Sequence, residues 1–464
     1  MPRHNHHTLS ELAGNFGDPR HRFIADAVSC VSLDTILGNL PEGERPAAFR
    51  GRSVLLRTND QITSVLWLIA LDGIARRIVI WPPGLDTAHM PHVISTAEID
   101  LVIPGSPSDA GSIADVARAL VRDSGGAKPR AVNGPQRATE WILFTSGTTG
   151  VPKMVVHTLE TLLGPVDRVR SLGAGAVWST FYDVRRYGGL QILLRSLVAG
   201  GSLLLSSPSE TPGDFLTRVA EAGVSHISGT PSHWRRALMS AAPTRISPRY
   251  VRMSGEVADQ PIIDMLRSFY PDAIVAHAFA STEAGLVFDV NDGKAGFPVN
   301  MVREEETAVA LKVVNGSLRV RSERTALYYL GRDVPELMDD AGYVDTGDMV
   351  ERRGDRYFFA GRREGIINIG GQKAHPEEIE AVINQHRDVQ MSLVRARKSP
   401  ITGAIVVADV VPRLSTTLDT AERLKAEILT LCHNKLERYK VPANIRIVSG
   451  LDVGEAGKLV RSRA

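Results

Sequence analysis

Cysteine is almost absent: among 464 residues only Cys30 and Cys432 occur, far apart and without a neighbouring Cys/His ligand pattern. That excludes a disulfide framework and a zinc site, and it fits a reducing cytoplasm. Long apolar runs are missing as well. The most apolar stretch, 65–75, is interrupted by Asp72 and is too short to span a bilayer, so no membrane insertion is expected. The polar leader carrying His4, His6 and His7 lacks the apolar core of a signal peptide. Charge of one sign is not in excess, and a net charge of +2 gives no reason to expect nucleic acid or a membrane surface as partner. No internal repeat of solenoid period is present. What remains is an ordinary globular composition, 43% hydrophobic and 23% charged, on a chain long enough for two or more cores.

Residues 1–47 read as polar and irregular, with helical patches at 9–12 and 33–40. From Ser53 onward strands and helices alternate. The pattern predicts strands at 53–57, 78–81 and 99–103 around helices at 61–75 and 90–96. Residues 125–136 read as a loop, and 159–172 and 190–197 as helices before a strand at 202–205. A second series follows, with helices at 215–222, from 230 and at 261–270, and strands at 225–229, 250–256 and 273–276. Two such series point to two abutting parallel sheets covered by helices, with ligands in the crevice outside the strand C-termini. Short strands at 311–314, 317–321 and 343–345, with Asn315-Gly316 as a hairpin turn, suggest a small β-barrel.

One stretch dominates the chemistry. Residues 141–144 read as a buried strand, and 154–156 as another. Between them lie Thr145, Ser146, Gly147, Thr148, Thr149, Gly150, Pro152 and Lys153. Glycine lets backbone amides approach phosphate oxygens, hydroxyls donate hydrogen bonds and lysine supplies charge, so this composition suits a polyphosphate. A plain polar hairpin is the simpler alternative. It is not a Walker loop, because the Gly-Lys-Ser/Thr ending is absent.

Over nine positions, 145–153, the turn resembles the phosphate loop of the adenylate-forming superfamily. That superfamily comprises acyl- and aryl-CoA synthetases, peptide-synthetase adenylation domains and firefly luciferase. The resemblance implies activation of a carboxylic acid by MgATP to an acyl-adenylate plus pyrophosphate, followed by transfer to a thiol. It implies an α/β fold in which a large N-terminal domain, 1–362, joins the two sheets and the barrel to a mobile α+β domain, 363–464. Family members usually open with a longer segment, so the front of this chain reads as trimmed.

Further segments match in order. His277 to Gly285 resembles the family segment in which a Thr-Glu pair closes on the nucleotide. Thr282 would contact the α-phosphate, and Glu283 would help hold Mg²⁺, a hard cation that needs a carboxylate beside the phosphates. Phe279, with Ala278, stands where an aromatic ring packs on adenine. Ser254, Gly255 and Glu256 resemble the preceding adenine-side turn. On the residues alone, a capped helix start at Ser281-Thr282 and a core phenylalanine are the competing readings. Thr346-Gly347-Asp348 resembles the ribose-binding motif, and Arg362 a second ribose contact.

Residues 361–380 resemble the hinge and first hairpin of the mobile domain, in a form closer to acyl- and aryl-CoA synthetases than to peptide-synthetase domains. Glu364 holds the hinge position, and Gly370-Gly371 would let a pantetheine arm approach the backbone. Pro376, Glu377 and Glu378 suit a helix start. Strands at 391–395, 404–411 and 445–448 and a helix at 420–436 complete this part. Lys458, in Gly457-Lys458, matches the terminal lysine that bridges substrate carboxylate and α-phosphate during adenylation.

The acid pocket is the least constrained part. Tyr182, Arg185, His233 and Trp234 are its candidate walls. Arg185 and Arg186 suit a second carboxylate on the substrate, a carrier protein or a solvated turn. Asp183 lies near the position that holds an α-amino group in peptide-synthetase domains, but the spacing to Gly200 is longer, which favours a non-amino acid. The principal reading is a carboxylic acid–CoA ligase using ATP and Mg²⁺. Beside it stand an adenylating enzyme that loads an acyl carrier protein through phosphopantetheine, and a non-catalytic adenylate-binding homologue.

Overall fold

The computed structural model describes residues 8–38, 48–104, 138–145, 152–164, 175–240, 245–303, 308–332, 334–399, 403–413, 417–454 and 457–460. The loop expected at 125–136 and residues 146–151 lie outside them. The chain divides into two compact units. One comprises 1–228, 280–287 and 322–344, and the other 229–279, 288–321 and 345–464.

The first unit holds two sheets. One runs in the order Tyr328–Leu330, Met154–His157, Glu140–Phe144, Arg77–Ile80, Ser53–Arg57, Leu101–Pro104. Four of its strands are parallel, and Met154–His157 pairs antiparallel with both Glu140–Phe144 and the edge strand Tyr328–Leu330. The other orders His226–Gly229, Val177–Thr180, Ser202–Leu205, Phe23–Ala25 and Cys30–Ser32. The last two strands lie in the front segment read as irregular. Arg22 ties them in: its buried guanidinium donates to the carbonyls of Ala13, Phe16, Leu197 and Gly201.

The helix Gln61–Leu71 is buried all round, as a helix between sheets should be. It stops short of the expected residue 75. The Asp72 carboxylate accepts instead from the Leu9 amide and the Trp141 indole, and Gly73 turns away at φ 78°. The helix Tyr187–Val198 begins three residues before the expected start at 190. Its first turn lies so close to the chain at Asp183 that a Cβ on Gly189 would overlap the Asp183 carbonyl.

In the second unit the strands Tyr250–Ser254 and Ile274–Ser281 pair in parallel. Helices Pro231–Ala237 and Gln260–Phe269 follow Thr230 and Asp259, which cap them. The strand expected to end at 276 runs on to Ser281 and turns at Thr282, so the capped helix start does not form there. Five strands form a sheet in the order Phe297–Pro298, Arg356–Arg362, Val344–Arg353, Ser317–Ser322, Val309–Val314. Asn315 and Gly316 both take positive φ, 51° and 78°, the conformation a two-residue hairpin turn requires.

Residues beyond the 3₁₀ turn Arg363–Gly365 build their own core. It packs Ile367, Ile379, Val394, Val410, Ile428 and Ile445, from hairpin, helices and sheet, against one another. This segment packs onto the helix Pro231–Ala237 and lies within the second compact unit.

Candidate functional site

The candidate residues fall into two groups, one in each unit. In the first unit, the strands Glu140–Phe144 and Met154–His157 flank the turn expected to bind phosphate. Its mouth is closed by a hydrogen bond from the Thr145 amide to the Lys153 carbonyl, 3.0 Å. Ser146, Gly147, Thr148 and Thr149 lie outside the described residues. The exposed Lys153 holds its ammonium 4.8 Å from the Tyr329 ring centroid. The Tyr329 hydroxyl donates to Glu283 Oε1 at 3.3 Å. The Tyr329 side chain therefore links Lys153 to Glu283, although 130 residues separate the lysine from the acid.

Thr282 is fixed from below by a residue that sequence reasoning passed over. His157 is fully buried at the end of its strand; Nε2 meets the Thr282 carbonyl at 2.7 Å and Nδ1 meets Thr161 Oγ1 at 2.9 Å. Burial pulls its pKa down to about 4, so at neutral pH the ring is uncharged. The uncharged tautomer that donates from Nε2 satisfies the carbonyl. The Glu283 carbonyl accepts from the Ala326 amide at 2.9 Å, so the Thr282-Glu283 backbone is held on two sides. A histidine ending an apolar strand was the available signal, and Tyr329 offered none.

The candidate acid pocket contains a different arrangement. Arg185 is buried and pairs with Asp183 through Nε and Nη2, at 2.8 and 2.7 Å, while Nη1 donates to the Thr58 carbonyl at 2.7 Å. It is neither a solvated turn nor a cation held open for a second substrate carboxylate. Asp183, neutralised by Arg185, is likewise not set up to receive an ammonium group. Arg186 donates to the Pro83 carbonyl at 2.6 Å. Tyr182 is buried with its ring against Gly188.

In the second unit the terminal segment meets the turn Ser254 to Glu256, expected on the adenine side. Thr230 Oγ1 donates to the Gly457 carbonyl at 2.6 Å. Glu256 accepts the Leu459 amide on Oε1 and the Ser232 amide on Oε2, both at 3.0 Å. A Cβ on Gly255 would lie 3.4 Å from Lys458 Cε. The turn of Ser254, Gly255 and Glu256 and the lysine 203 residues from Gly255 are thus in contact. Glu256 acts here as a clamp between two backbone segments, a role its position in the turn did not disclose.

His233 belongs to this docking face, and its neighbour Trp234 does not. His233 Nδ1 accepts from the Thr230 amide at 3.1 Å, and its ring covers Gly457 so closely that a Cβ there would overlap it. Burial pulls the His233 pKa down to about 4. Trp234 is completely buried, edge-on to Tyr270 at 6.1 Å, and so packs the core instead of facing an opening.

Phe279 is half-buried and stacks on Phe359 at 4.8 Å; Phe288 stands 5.7 Å away, and buried Ala278 precedes it. Asp348 and Arg362 face each other across a strand pair, Oδ1 to Nε 2.9 Å, and Arg362 Nη1 also donates to the Thr346 carbonyl at 3.2 Å. The exposed Glu364 lies in the turn Arg363–Gly365. Gly370 and Gly371, at φ 58° and 88°, form the exposed tip of the hairpin Ile367–Ile369/Gln372–Ala374, with nothing within 4 Å of a Cβ on either.

The family model described as AMP-binding enzyme matches residues 50–330, and the AMP-binding enzyme C-terminal domain matches 378–458. The chain is 26% identical over 339 residues to a 2-succinylbenzoate–CoA ligase of Listeria monocytogenes, covering 69% of this chain and 68% of that protein. It is 26% identical over 344 residues to a p-hydroxybenzoic acid–AMP ligase of Mycobacterium tuberculosis, covering 70% of this chain and 48% of that one. Among solved structures, the anthranilate CoA ligase AuaEII with anthranoyl-AMP superposes with a TM-score of 0.79 at 16% identity, covering 98% of this chain and 95% of the other. ATP-bound MatB from Rhodopseudomonas palustris gives 0.76 at 19% identity, covering 97% and 96%. No helix among the described residues is long and apolar enough to cross a membrane.

Proposed function

The chain belongs to the AMP-binding enzyme family, and on that premise we propose that it is an AMP-forming ligase joining an aromatic carboxylic acid to the thiol of CoA. The acid attacks the α-phosphorus of ATP, the bond to pyrophosphate breaks, and the thiol then displaces AMP from the acyl-adenylate. The aromatic character follows the relatives named for succinylbenzoate and hydroxybenzoate. A cytoplasmic location suits the two unpaired thiols.

The observation that carries this reading is the docking of Lys458 against the turn Ser254–Glu256 through Thr230, Glu256 and Gly255. A lysine near a chain end is ordinarily solvated; here two hydrogen bonds fix the backbone on either side of it. Its charge offsets repulsion as carboxylate and phosphate approach, a role of about 2.7–4 kcal/mol for one stabilising group in comparable sites. Lys153, Thr145 and Thr282, with Ser146 to Thr149, serve the phosphates. Phe279 and Asp348 serve adenine and ribose. Glu283, half-buried with an oxygen 3.3 Å from the Tyr329 hydroxyl, is a hard donor that fits Mg²⁺. Bound there, Mg²⁺ would offset phosphate charge.

For the second step, the domain beyond Glu364 turns, withdrawing Lys458 and presenting Gly370-Gly371. The open hairpin tip leaves backbone bare for a thin pantetheine arm. Lys458→Ala should lower pyrophosphate release from acid and ATP by about 10²–10³-fold. Thioester formation from preformed adenylate should stay within about tenfold of wild type in that variant. Pyrophosphate release at the wild-type rate would remove the assignment. A carrier protein as acceptor is the second reading, favoured by the likeness to an acid–AMP ligase. Supplying CoA and a holo carrier protein in parallel separates the two.

A further inference from the structure

Where the C-terminal segment packs onto the helix Pro231–Ala237, the contact is built around a buried ion pair. Arg235 Nη2 donates to both oxygens of Asp259, at 2.6 and 2.7 Å, and the two side chains are 7% and 8% exposed. Asp259 also caps the helix Gln260–Phe269. From beyond Glu364, Asn384 Nδ2 donates to Asp259 Oδ2 at 3.0 Å, its amide oriented by the Ser392 hydroxyl on Oδ1. The Gln390 carbonyl accepts from Arg235 Nε at 3.2 Å, and Gln390 Nε2 returns a bond to the Arg235 carbonyl at 2.6 Å.

We propose that Asn384 and Gln390, closing on the Arg235–Asp259 pair, form a release latch that sets the balance between the docked and turned poses of the C-terminal domain. This rests on the two-pose reading above. The placement of charge is what makes the latch reversible. Both ions lie before the hinge, and both cross-hinge partners are neutral amides. When the domain turns away, the ion pair stays intact, and within the latch only the amide contacts of Asn384 and Gln390 pass to water. Had one of the charges been beyond the hinge, turning would strand a buried ion, which is far costlier than losing a hydrogen bond. The same helix carries His233, which covers Gly457, so the latch and the docking of Lys458 share one rigid element.

The test follows both half-reactions and a distance. Labels at Asp272→Cys and Arg423→Cys, in a Cys30→Ser background with Cys432 buried, report the separation of the two parts by fluorescence transfer. Asn384→Ala and Gln390→Ala should each shift the population toward longer separations. Each should lower kcat/KM for pyrophosphate release about threefold to tenfold. Thioester formation from preformed adenylate should be unchanged or faster. The exchange Asp259→Asn with Asn384→Asp moves the carboxylate across the hinge. It should keep the short separation and pyrophosphate release while slowing thioester formation about tenfold. Wild-type distances and rates in both alanine variants would overturn the latch. So would parallel loss of both half-reactions together with thermal stability. If the wild type releases no pyrophosphate with any acid, the proposed activity fails, while the distance shifts still decide the latch.

Discussion

Asp183–Arg185 and Asp348–Arg362 are both arginine–aspartate contacts at candidate ligand positions, yet their surroundings differ. Arg185 and Asp183 are 5% and 9% exposed, and Arg185 has a third bond to a carbonyl 127 residues away. Arg362 is 56% exposed and Asp348 14%, paired across neighbouring strands. In the first pair each charge is the condition for burying the other. In the second the arginine can exchange the aspartate for a ligand hydroxyl at small cost, because an exposed pair contributes about 0–1 kcal/mol. The same two residue types can build a sealed core contact or an open surface one, and burial decides which.

The largest effect that would break this contrast is in the buried pair. Arg185→Met should destabilise the protein by about 3–5 kcal/mol in denaturant unfolding, since Asp183 is left as an unpaired buried charge. Adding Asp183→Asn should recover much of the loss. If Arg185→Met unfolds like wild type but loses affinity for the acid, Arg185 belongs to the ligand after all.

An intermediate effect concerns His157, another closed contact. Its folded pKa of about 4 lies below the ordinary 6.5, so the folded state resists a proton that the unfolded state accepts. Its stabilising contribution is complete above pH 6.5 and is lost as pH falls from 6.5 toward 4. The full window corresponds to about 3 kcal/mol. His157→Gln, which keeps a donor for the Thr282 carbonyl, should flatten that acid limb when unfolding midpoints at pH 7 and pH 4.5 are compared. His233 carries the same sign, and an acid limb unchanged by His157→Gln combined with His233→Gln would remove the account.

The smallest stability effect is expected at the open pair. Arg362→Met should change unfolding by less than about 1 kcal/mol. Its signature should be a KM for ATP raised several-fold at nearly constant kcat. A loss of stability matching that of Arg185→Met would erase the distinction between the pairs.

Much of the fold was legible because its signals are local. Strand–helix alternation placed the sheets, Asn315-Gly316 marked its hairpin, and Pro376 with Glu377 and Glu378 marked a helix start. Boundaries moved where a distant group intervened. The helix from Gln61 ended early because Leu9 and Trp141 claim Asp72, and the strand from Ile274 ran through the expected helix start. The motif residues stood out as candidates because binding phosphate or ribose and offsetting charge each demand particular side chains. Their supports were not: His157 beneath Thr282, Tyr329 beside Glu283, and Glu256 gripping Leu459 are contacts between segments far apart in the chain.

By itself the sequence determined the family, the order of its motifs and the period of each element, since backbone preference and side-chain chemistry act over a few residues. Only the tertiary structure decided which charges are already partnered. Arg185 and Arg362 are the same residue type, and nothing in either local stretch says that one is sealed under Thr58 while the other faces water. Desolvation is a property of everything packed around a group, and that surrounding is assembled from segments more than a hundred residues apart.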